Sequence, residues 1–177
     1  MVIILLAAYN EFHDIGHLLE KFSTLDFRFP FKIVVVDDGS NDNTSEAVLS
    51  FTGRLPIHLL KHETNKGLTE SLRTGFEHIG QSLQPNDLVI TMDADNSHDP
   101  QDIYKILEKF NAGYDIISGS RFCPGGKMIG VPAYRMFLSN ACRFILSNTL
   151  AIKGISDYSG LYRGYRGNLI QKALQHT

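Results

Sequence analysis

Asp93 and Asp95 place two carboxylates one residue apart, directly after the apolar run Leu88-Val89-Ile90-Thr91-Met92. A run of that composition reads as a strand buried on both faces. In open α/β sheets, ligands collect beyond the carboxyl ends of the strands. Two carboxylates at such an end can converge on one hard divalent cation, Mg²⁺ or Mn²⁺, which prefers oxygen donors. The competing reading makes them turn and cap residues of the helix that Pro100-Gln101-Asp102 announces. Taken alone, the triplet leaves both open.

Two further acidic turns favour the cation. Val2 to Ala8 reads as a central strand and ends in Tyr9-Asn10-Glu11, while Phe31 to Val36 reads as a buried strand running into Asp37-Asp38-Gly39-Ser40. In a parallel sheet these ends share one edge with Asp93 and Asp95. Acidic turns gathered there repel one another unless they bind a cation, or the hydroxyls and donor edges of a nucleoside. The chain has no GxGxxG after its first strand and no GxxxxGK[ST], which argues against a dinucleotide or P-loop enzyme. A diphosphate would then have to be held through a metal.

The elements that must position these residues follow from periodicity. Asp14 is expected to open a helix with Ile15, Leu18, Leu19 and Phe22 as its apolar stripe. Thr44 is expected to cap a second helix that turns Ala47, Val48 and Phe51 inward. Ile57 to Leu60 is a third strand, and Asn65-Lys66-Gly67 leads into a helix bearing Leu72, Phe76 and Ile79. After the Asp93 loop comes a helix with Ile103, Ile106, Leu107 and Phe110, then a fifth strand from Tyr114 to Ser118. This alternation implies an α/β fold, a mostly parallel sheet with helices on both faces. Beyond Arg121 the chain reads as a Gly/Pro loop, a helix over Pro132 to Ile152, a further strand over Ile155 to Tyr162 and a short helix from Asn168 to Gln175.

Length and composition fit one globular domain over residues 1–177, with no long apolar span and only Cys123 and Cys142 as cysteines. That cysteine usage points to a reducing compartment, and the first segment lacks the basic start of a signal peptide. Charge is divided. Residues 1–120 carry nine Lys/Arg against eighteen Asp/Glu, a balance of −9, and residues 121–177 carry eight against one, a balance of +7. A basic remainder on an acidic body calls for an anionic partner: phosphates, a nucleic acid or a membrane surface. Arg135 and Ser139 are one helical turn apart, and a guanidinium fork with a hydroxyl suits a phosphate. Asp157 is the one acid of this part.

The segments Ala8-Tyr9-Asn10-Glu11, Asp37-Asp38-Gly39-Ser40, Asn65-Lys66-Gly67, Met92-Asp93-Ala94-Asp95 and Ser118-Gly119-Ser120-Arg121 occur in the order seen in family 2 glycosyltransferases of the GT-A (Rossmann-like) fold. MDADNSHDP, DIISGSRF and SDYSGLYRGYR resemble the signature segments of dolichyl- or polyprenyl-phosphate mannosyl or glucosyl synthases within that family. The resemblance implies a nucleotide-diphospho-sugar donor such as GDP-mannose or UDP-glucose, a polyprenyl phosphate acceptor, Mg²⁺ or Mn²⁺, and inversion at the anomeric carbon. It puts the donor against Ala8, Tyr9, Asn10, Glu11, Asp37, Asp38, Lys66 and Ala94, and the metal on Asp93, Asp95 and Ser97. Arg121, Arg135 and Ser139 would face the acceptor phosphate, and Asp95, Arg121, Arg135 and Asp157 would serve catalysis.

On this reading residues 1–120 form the nucleotide-sugar half and residues 121–177 the acceptor side. The protein is expected in the cytoplasm, on the cytoplasmic face of a membrane with an anionic surface, and with no nucleic acid as partner. Such synthases usually continue past this chain's end, so a fragment or a minimal version is expected. Two rival functions remain: transfer to a saccharide or glycolipid hydroxyl with Asp157 as base, and a catalytically silent nucleotide-sugar-binding module. His13 and His17 only superficially resemble a zinc motif, and His98 reads as a loop or acceptor-side residue rather than a ligand.

Overall fold

In the computed structural model of the chain, the residues described are 1–120, 134, 138, 139, 141, 144–146, 149, 157 and 160–176. They belong to two compact units: Met1–Ile117 with Leu161–Thr177, and Ser118–Gly160.

The first unit is built on one six-stranded sheet of order β3-β2-β1-β4-β6-β5. The strands are β1 (Val2–Ala8), β2 (Phe31–Asp37), β3 (Ile57–Lys61), β4 (Leu88–Asp93), β5 (Ile116–Ser118) and β6 (Arg163–Arg166). β1, β2, β3 and β4 run parallel, and β6 pairs antiparallel with β4. The helices are α1 (Phe12–Thr24), α2 (Thr44–Leu49), α3 (Leu68–Gly80), α4 (Ile103–Asn111) and α5 (Gly167–Leu174).

Side chains of β1 divide strictly by alternation, as a pleated strand requires. Val2, Ile4, Leu6 and Ala8 join the core under α1, α2 and α4, whereas Ile3 and Leu5 join the core under α3 and α5. Ile15, Leu18, Leu19 and Phe22 are the buried stripe of α1, as their spacing demands. At Gly75 of α3 a Cβ would stand 2.3 Å from Leu5 Cδ1, so glycine there lets α3 lie directly on the sheet.

Three expectations change. Of the strand expected over Ile155 to Tyr162, residues 157 and 160–162 are not strand, and Ile155, Ser156, Tyr158 and Ser159 lie outside the described residues; the last strand among the described residues is Arg163–Arg166. Its arginine-rich sequence hides its pairing. Gly164 admits the close approach of Ile106 and Leu88, and Arg166 binds Asp115 at 2.7 Å while its guanidinium lies 4.0 Å from the Phe110 ring centroid. One of the cations of the basic remainder is thereby structural. The fifth strand is shorter than expected and lies at the sheet edge. Thr44 is the first residue of α2 rather than its cap: its amide donates to Asp42 Oδ1 at 3.0 Å, and its hydroxyl is turned to another use.

In the second unit, Tyr134, Leu138, Ser139, Ala141, Phe144–Leu146 and Thr149 are helical, which agrees with the helix expected over Pro132 to Ile152. Leu138 and Ile145 are exposed on it. No helix among the described residues is long and apolar enough to cross a membrane.

Candidate functional site

Strand register carries the acidic turns to one edge. Ala8, the last residue of β1, pairs with Asp37, and Ala7 pairs with Asp93. The loops after these strands therefore start at the same level of the sheet.

The first two loops are laced together through the backbone. Asn10 N donates to Ser40 Oγ and Asn41 N to Asn10 Oδ1, each at 2.9 Å. Glu11 N donates to the Thr44 hydroxyl at 2.9 Å, and Phe12 N to Asp42 Oδ2 at 3.2 Å. Thr44 thus ties the start of α1 to the start of α2. Gly39 makes the turn possible: its φ is +72°, and a Cβ would come within 2.5 Å of the Thr64 carbonyl carbon.

Asp37 and Asp38 are buried beneath these loops. Asp37 accepts from Ser40 N at 2.9 Å and from the Ser45 hydroxyl, with Lys61 Nζ at 3.9 Å. Asp38 accepts from Lys66 N at 3.0 Å and Gly67 N at 2.8 Å, and its Oδ1 lies 2.7 Å from His62 Nδ1. Burial works to raise the Asp38 carboxyl, but the hydrogen bonds from His62, Lys66, Gly67 and Ser71 outweigh it and hold the group below its ordinary value. Both carboxylates are framework groups in this structure.

The residues left open at the edge are others. Tyr9, Asn10, Lys66, Asp95 and Ser97 are exposed, Asp93 and Glu11 are half-buried, and Ala8 and Ala94 are buried in the floor. Asp95 Oδ1 accepts from Ser97 N at 3.0 Å across Asn96, whose φ is +57°. Asp99 caps the next turn by accepting from Gln101 N, so of the three aspartates only this one fills the cap role. His98 Nε2 lies 3.3 Å from Asp93 Oδ2, and its ring stacks on Tyr162 with centroids 4.7 Å apart.

Glu11 reports the field at this edge. Its carboxyl is raised first by burial and then by the charges of Asp95, Asp14, Asp42 and Asp93. No Lys or Arg among the described residues pairs with Asp93 or Asp95, and no three His, Cys, Asp or Glu side chains among them form a ready cage. Two partly open carboxylates with uncompensated charge suit a cation that keeps waters and takes its other donors from phosphates. The residues present therefore fit Mg²⁺ or Mn²⁺ at Asp93 and Asp95. Ser97 contributes its amide to Asp95, and its hydroxyl is exposed beside that carboxylate.

Of the other expected residues, Arg121 and Arg135 lie outside the described residues. Ser139 is a half-buried helical residue of the second unit. Asp157, in the same unit, is buried; its Oδ1 accepts from Gly160 N at 3.1 Å and its carbonyl from the Ser118 hydroxyl at 3.4 Å. His62 and Thr74 were not anticipated from sequence. The β2–β3 register contains the signal, because Asp37 opposes Lys61 and so puts His62 next to Asp38.

Tyr162 offers a test of the site's surroundings. Its hydroxyl is buried without a hydrogen-bond partner among the described residues, and burial followed by the charges of Asp102 and Asp99 pushes its ionisation far up. Tyr162→Phe keeps the ring on His98 and removes an unsatisfied group, so it should stabilise the fold by about 1 kcal/mol. A urea midpoint that falls instead would show that the hydroxyl is satisfied.

An open sheet whose parallel strands end in acidic loops along one edge defines the class of fold, and comparison with known proteins narrows it. A mannosyltransferase from Pyrobaculum calidifontis, solved in complex with GDP-Man and Mn²⁺, superposes with a TM-score of 0.64 at 21% identity, over 97% of this chain and 46% of that one. Glucosyl-3-phosphoglycerate synthase from Mycobacterium tuberculosis, solved with Mn²⁺ and UDP, gives 0.69 at 15% identity, over 96% and 57%. These likenesses establish the GT-A fold. The sequence profile of glycosyl transferase family 2 matches residues 3–174, and the chain belongs to that family.

Among curated relatives, the dolichol-phosphate mannosyltransferase of Pyrococcus furiosus is 30% identical over 93% of this chain and 45% of its own length. The polyprenol monophosphomannose synthase of Mycolicibacterium smegmatis is 33% identical over 79% and 52%. The undecaprenyl-phosphate mannosyltransferase of Micrococcus luteus is 30% identical over 96% and 68%. The chain thus spans about half the length of the first two and about two thirds of the third.

Proposed function

We propose that this chain is the catalytic part of a metal-dependent, inverting glycosyltransferase that moves mannose or glucose from GDP-mannose or UDP-glucose to a polyprenyl phosphate. The observation that carries the donor half is the pair Asp93 and Asp95 at the end of β4, open to ligand, with no Lys or Arg among the described residues paired to either. Relatives named for transfer to dolichol, polyprenol and undecaprenyl phosphates support the acceptor.

Bound at Asp93, Asp95 and Ser97, Mg²⁺ or Mn²⁺ supplies charge neutralisation for a diphosphate leaving group. Tyr9, Asn10 and Glu11 line the nucleoside, on a floor of Ala8 and Ala94. Asp37 and Asp38 serve it by holding their loop and that of Lys66. The glycosidic bond to the diphosphate breaks as an oxygen of the acceptor phosphate bonds to the anomeric carbon from the opposite face. That phosphate is already ionised, so the protein has no proton to remove and acts by orientation and charge. Arg121, Arg135 and Ser139 are assigned to the acceptor phosphate, and Asp157 to ordering its own turn. The exposed Leu138 and Ile145, in the part of the chain rich in Lys and Arg, support peripheral attachment to an anionic membrane surface.

A thermal-shift panel of nucleotide sugars, with and without Mn²⁺, tests the donor half. A ligand at 100 times its dissociation constant stabilises by about 2.7 kcal/mol, which for a chain of this size is roughly 5 °C or more in Tm. GDP-mannose or UDP-glucose should give that shift with Mn²⁺ and lose most of it without. No metal-dependent shift with any nucleotide sugar would overturn the proposal.

A further inference from the structure

Beneath the donor loops lies a hydrogen-bonded chain that connects three elements. β2 and β3 end side by side, and His62 N donates to Asp37 O at 2.9 Å. The His62 ring is buried, with Nδ1 at 2.7 Å from Asp38 Oδ1 and Nε2 at 3.0 Å from Thr74 Oγ1 on α3. Asp38 in turn receives the amides of Lys66 and Gly67, the residues that lead into α3 at a Gly67 φ of +88°. α3 itself cannot slide, because Gly75, next to Thr74, is pressed on Leu5.

We propose that His62 is a positioning residue for the donor site: anchored to α3 through Thr74, it orients the Asp38 carboxylate, which fixes the Lys66-Gly67 backbone where the donor binds. A carboxylate at Nδ1 selects the tautomer with its proton there, so Nδ1–H donates to Asp38 and Nε2 accepts from the Thr74 hydroxyl. The carboxylate is then gripped at Oδ1 by the imidazole and the Lys66 amide and at Oδ2 by the Gly67 amide, and it cannot rotate without breaking one set. The link to the donor rests on the proposed function; the hold on the loop does not.

Two substitutions separate orientation from packing. The side-chain amide of His62→Asn falls where Nδ1 stood and can still donate to Asp38, but it no longer reaches Thr74. In His62→Gln the amide falls near the position of Nε2 and abandons Asp38, although Gln is closer to His in volume. Hydrogen exchange at the Lys66 and Gly67 amides reads the loop directly. Calorimetric titration with GDP-mannose and UDP-glucose in Mn²⁺ reads the donor site. His62→Asn should stay within about 3-fold of the unsubstituted protein in both, whereas His62→Gln should weaken the donor and speed exchange at Lys66 and Gly67 by about 10-fold. Amides of β1 and β4 should not change in either. In a transfer assay the loss should appear in donor KM with kcat nearly unchanged.

The reverse ranking, with Gln the better substitute, would make His62 a packing residue and overturn the proposal. If no form binds a nucleotide sugar, the donor reading fails, and the exchange ranking still decides whether His62 holds the loop. Should His62→Asn not fold, Thr74→Val serves instead. Without its far anchor the ring is released, so exchange at Lys66 and Gly67 should rise about 3-fold. Unchanged exchange there overturns the anchor.

Discussion

Asp95→Asn should weaken Mn²⁺-dependent binding of GDP-mannose or UDP-glucose by on the order of 100-fold, and metal-independent binding hardly at all. Asparagine keeps the size of the side chain and can still accept from Ser97 N, the bond that shapes the turn at 3.0 Å. What it removes is a charge that no Lys or Arg among the described residues compensates. A carboxylate ligand is a larger part of a cation's field than the groups around it, whose loss alone costs 10- to 100-fold, so ~100-fold is a floor. The same substitution should lower the Glu11 carboxyl toward its ordinary value, because after burial the Asp95 charge is the largest of the causes that raise it. Calorimetric titrations with and without Mn²⁺, together with an NMR titration of Glu11, check both. Unchanged metal dependence would place the cation elsewhere.

The parts of the fold that sequence made legible are those where one physical signal dominates. β1, β2 and β4 are buried along nearly their whole length, so uninterrupted apolar runs announced them. α1 has one wide apolar stripe, and Ile15, Leu18, Leu19 and Phe22 all went to the core. β6 was displaced because its signal is of another kind. Arg163-Gly164-Tyr165-Arg166 pairs with β4 through its backbone, and Arg166 meets its charge partner in Asp115, which is distant in sequence. The shift of the cap position from Thr44 to Asn43 has a similar cause, since the Thr44 amide is held by Asp42 and its hydroxyl is taken by Glu11 N from another loop.

The candidate site was legible at the level of the edge and less so at the level of single groups. Three acidic turns were expected on one side of the sheet, and the register of Ala8 with Asp37 and of Ala7 with Asp93 brings their strands there. Which carboxylate stays open depends on neighbours that spacing does not reveal. Asp93 and Asp95 keep oxygens toward solvent, whereas Asp37 and Asp38 turn inward to amides and hydroxyls. His62 escaped notice for the same reason, being polar, isolated in sequence and buried.

The inward turn of Asp38 gives a second large effect, on stability. Asp38→Asn replaces an acceptor by a donor on one side of the group. Whichever way the amide is set, either the Gly67 amide at 2.8 Å, or the His62 ring and Lys66 amide at 2.7 and 3.0 Å, then face a donor. Leaving such buried groups unsatisfied should cost about 3 kcal/mol at neutral pH, read as a lower urea midpoint with unchanged slope. The pH dependence has a fixed sign. The Asp38 carboxyl is held below its ordinary value of 3.8, so its contribution is complete above that pH and is lost as pH falls through the lowered value. Glu11 works the other way: its carboxyl is raised above 4.5, and the stability it contributes below that pH is lost as pH rises through the raised value. The unsubstituted protein should therefore lose stability steeply below pH 3.8, and Asp38→Asn, already weaker at pH 7, should lose less over the same interval. Urea unfolding from pH 7 down to the acid limit measures both curves. Parallel acid limbs for the two proteins would mean that Asp38 keeps an ordinary carboxyl, and that the loop of Lys66 and Gly67 is held by something other than its charge.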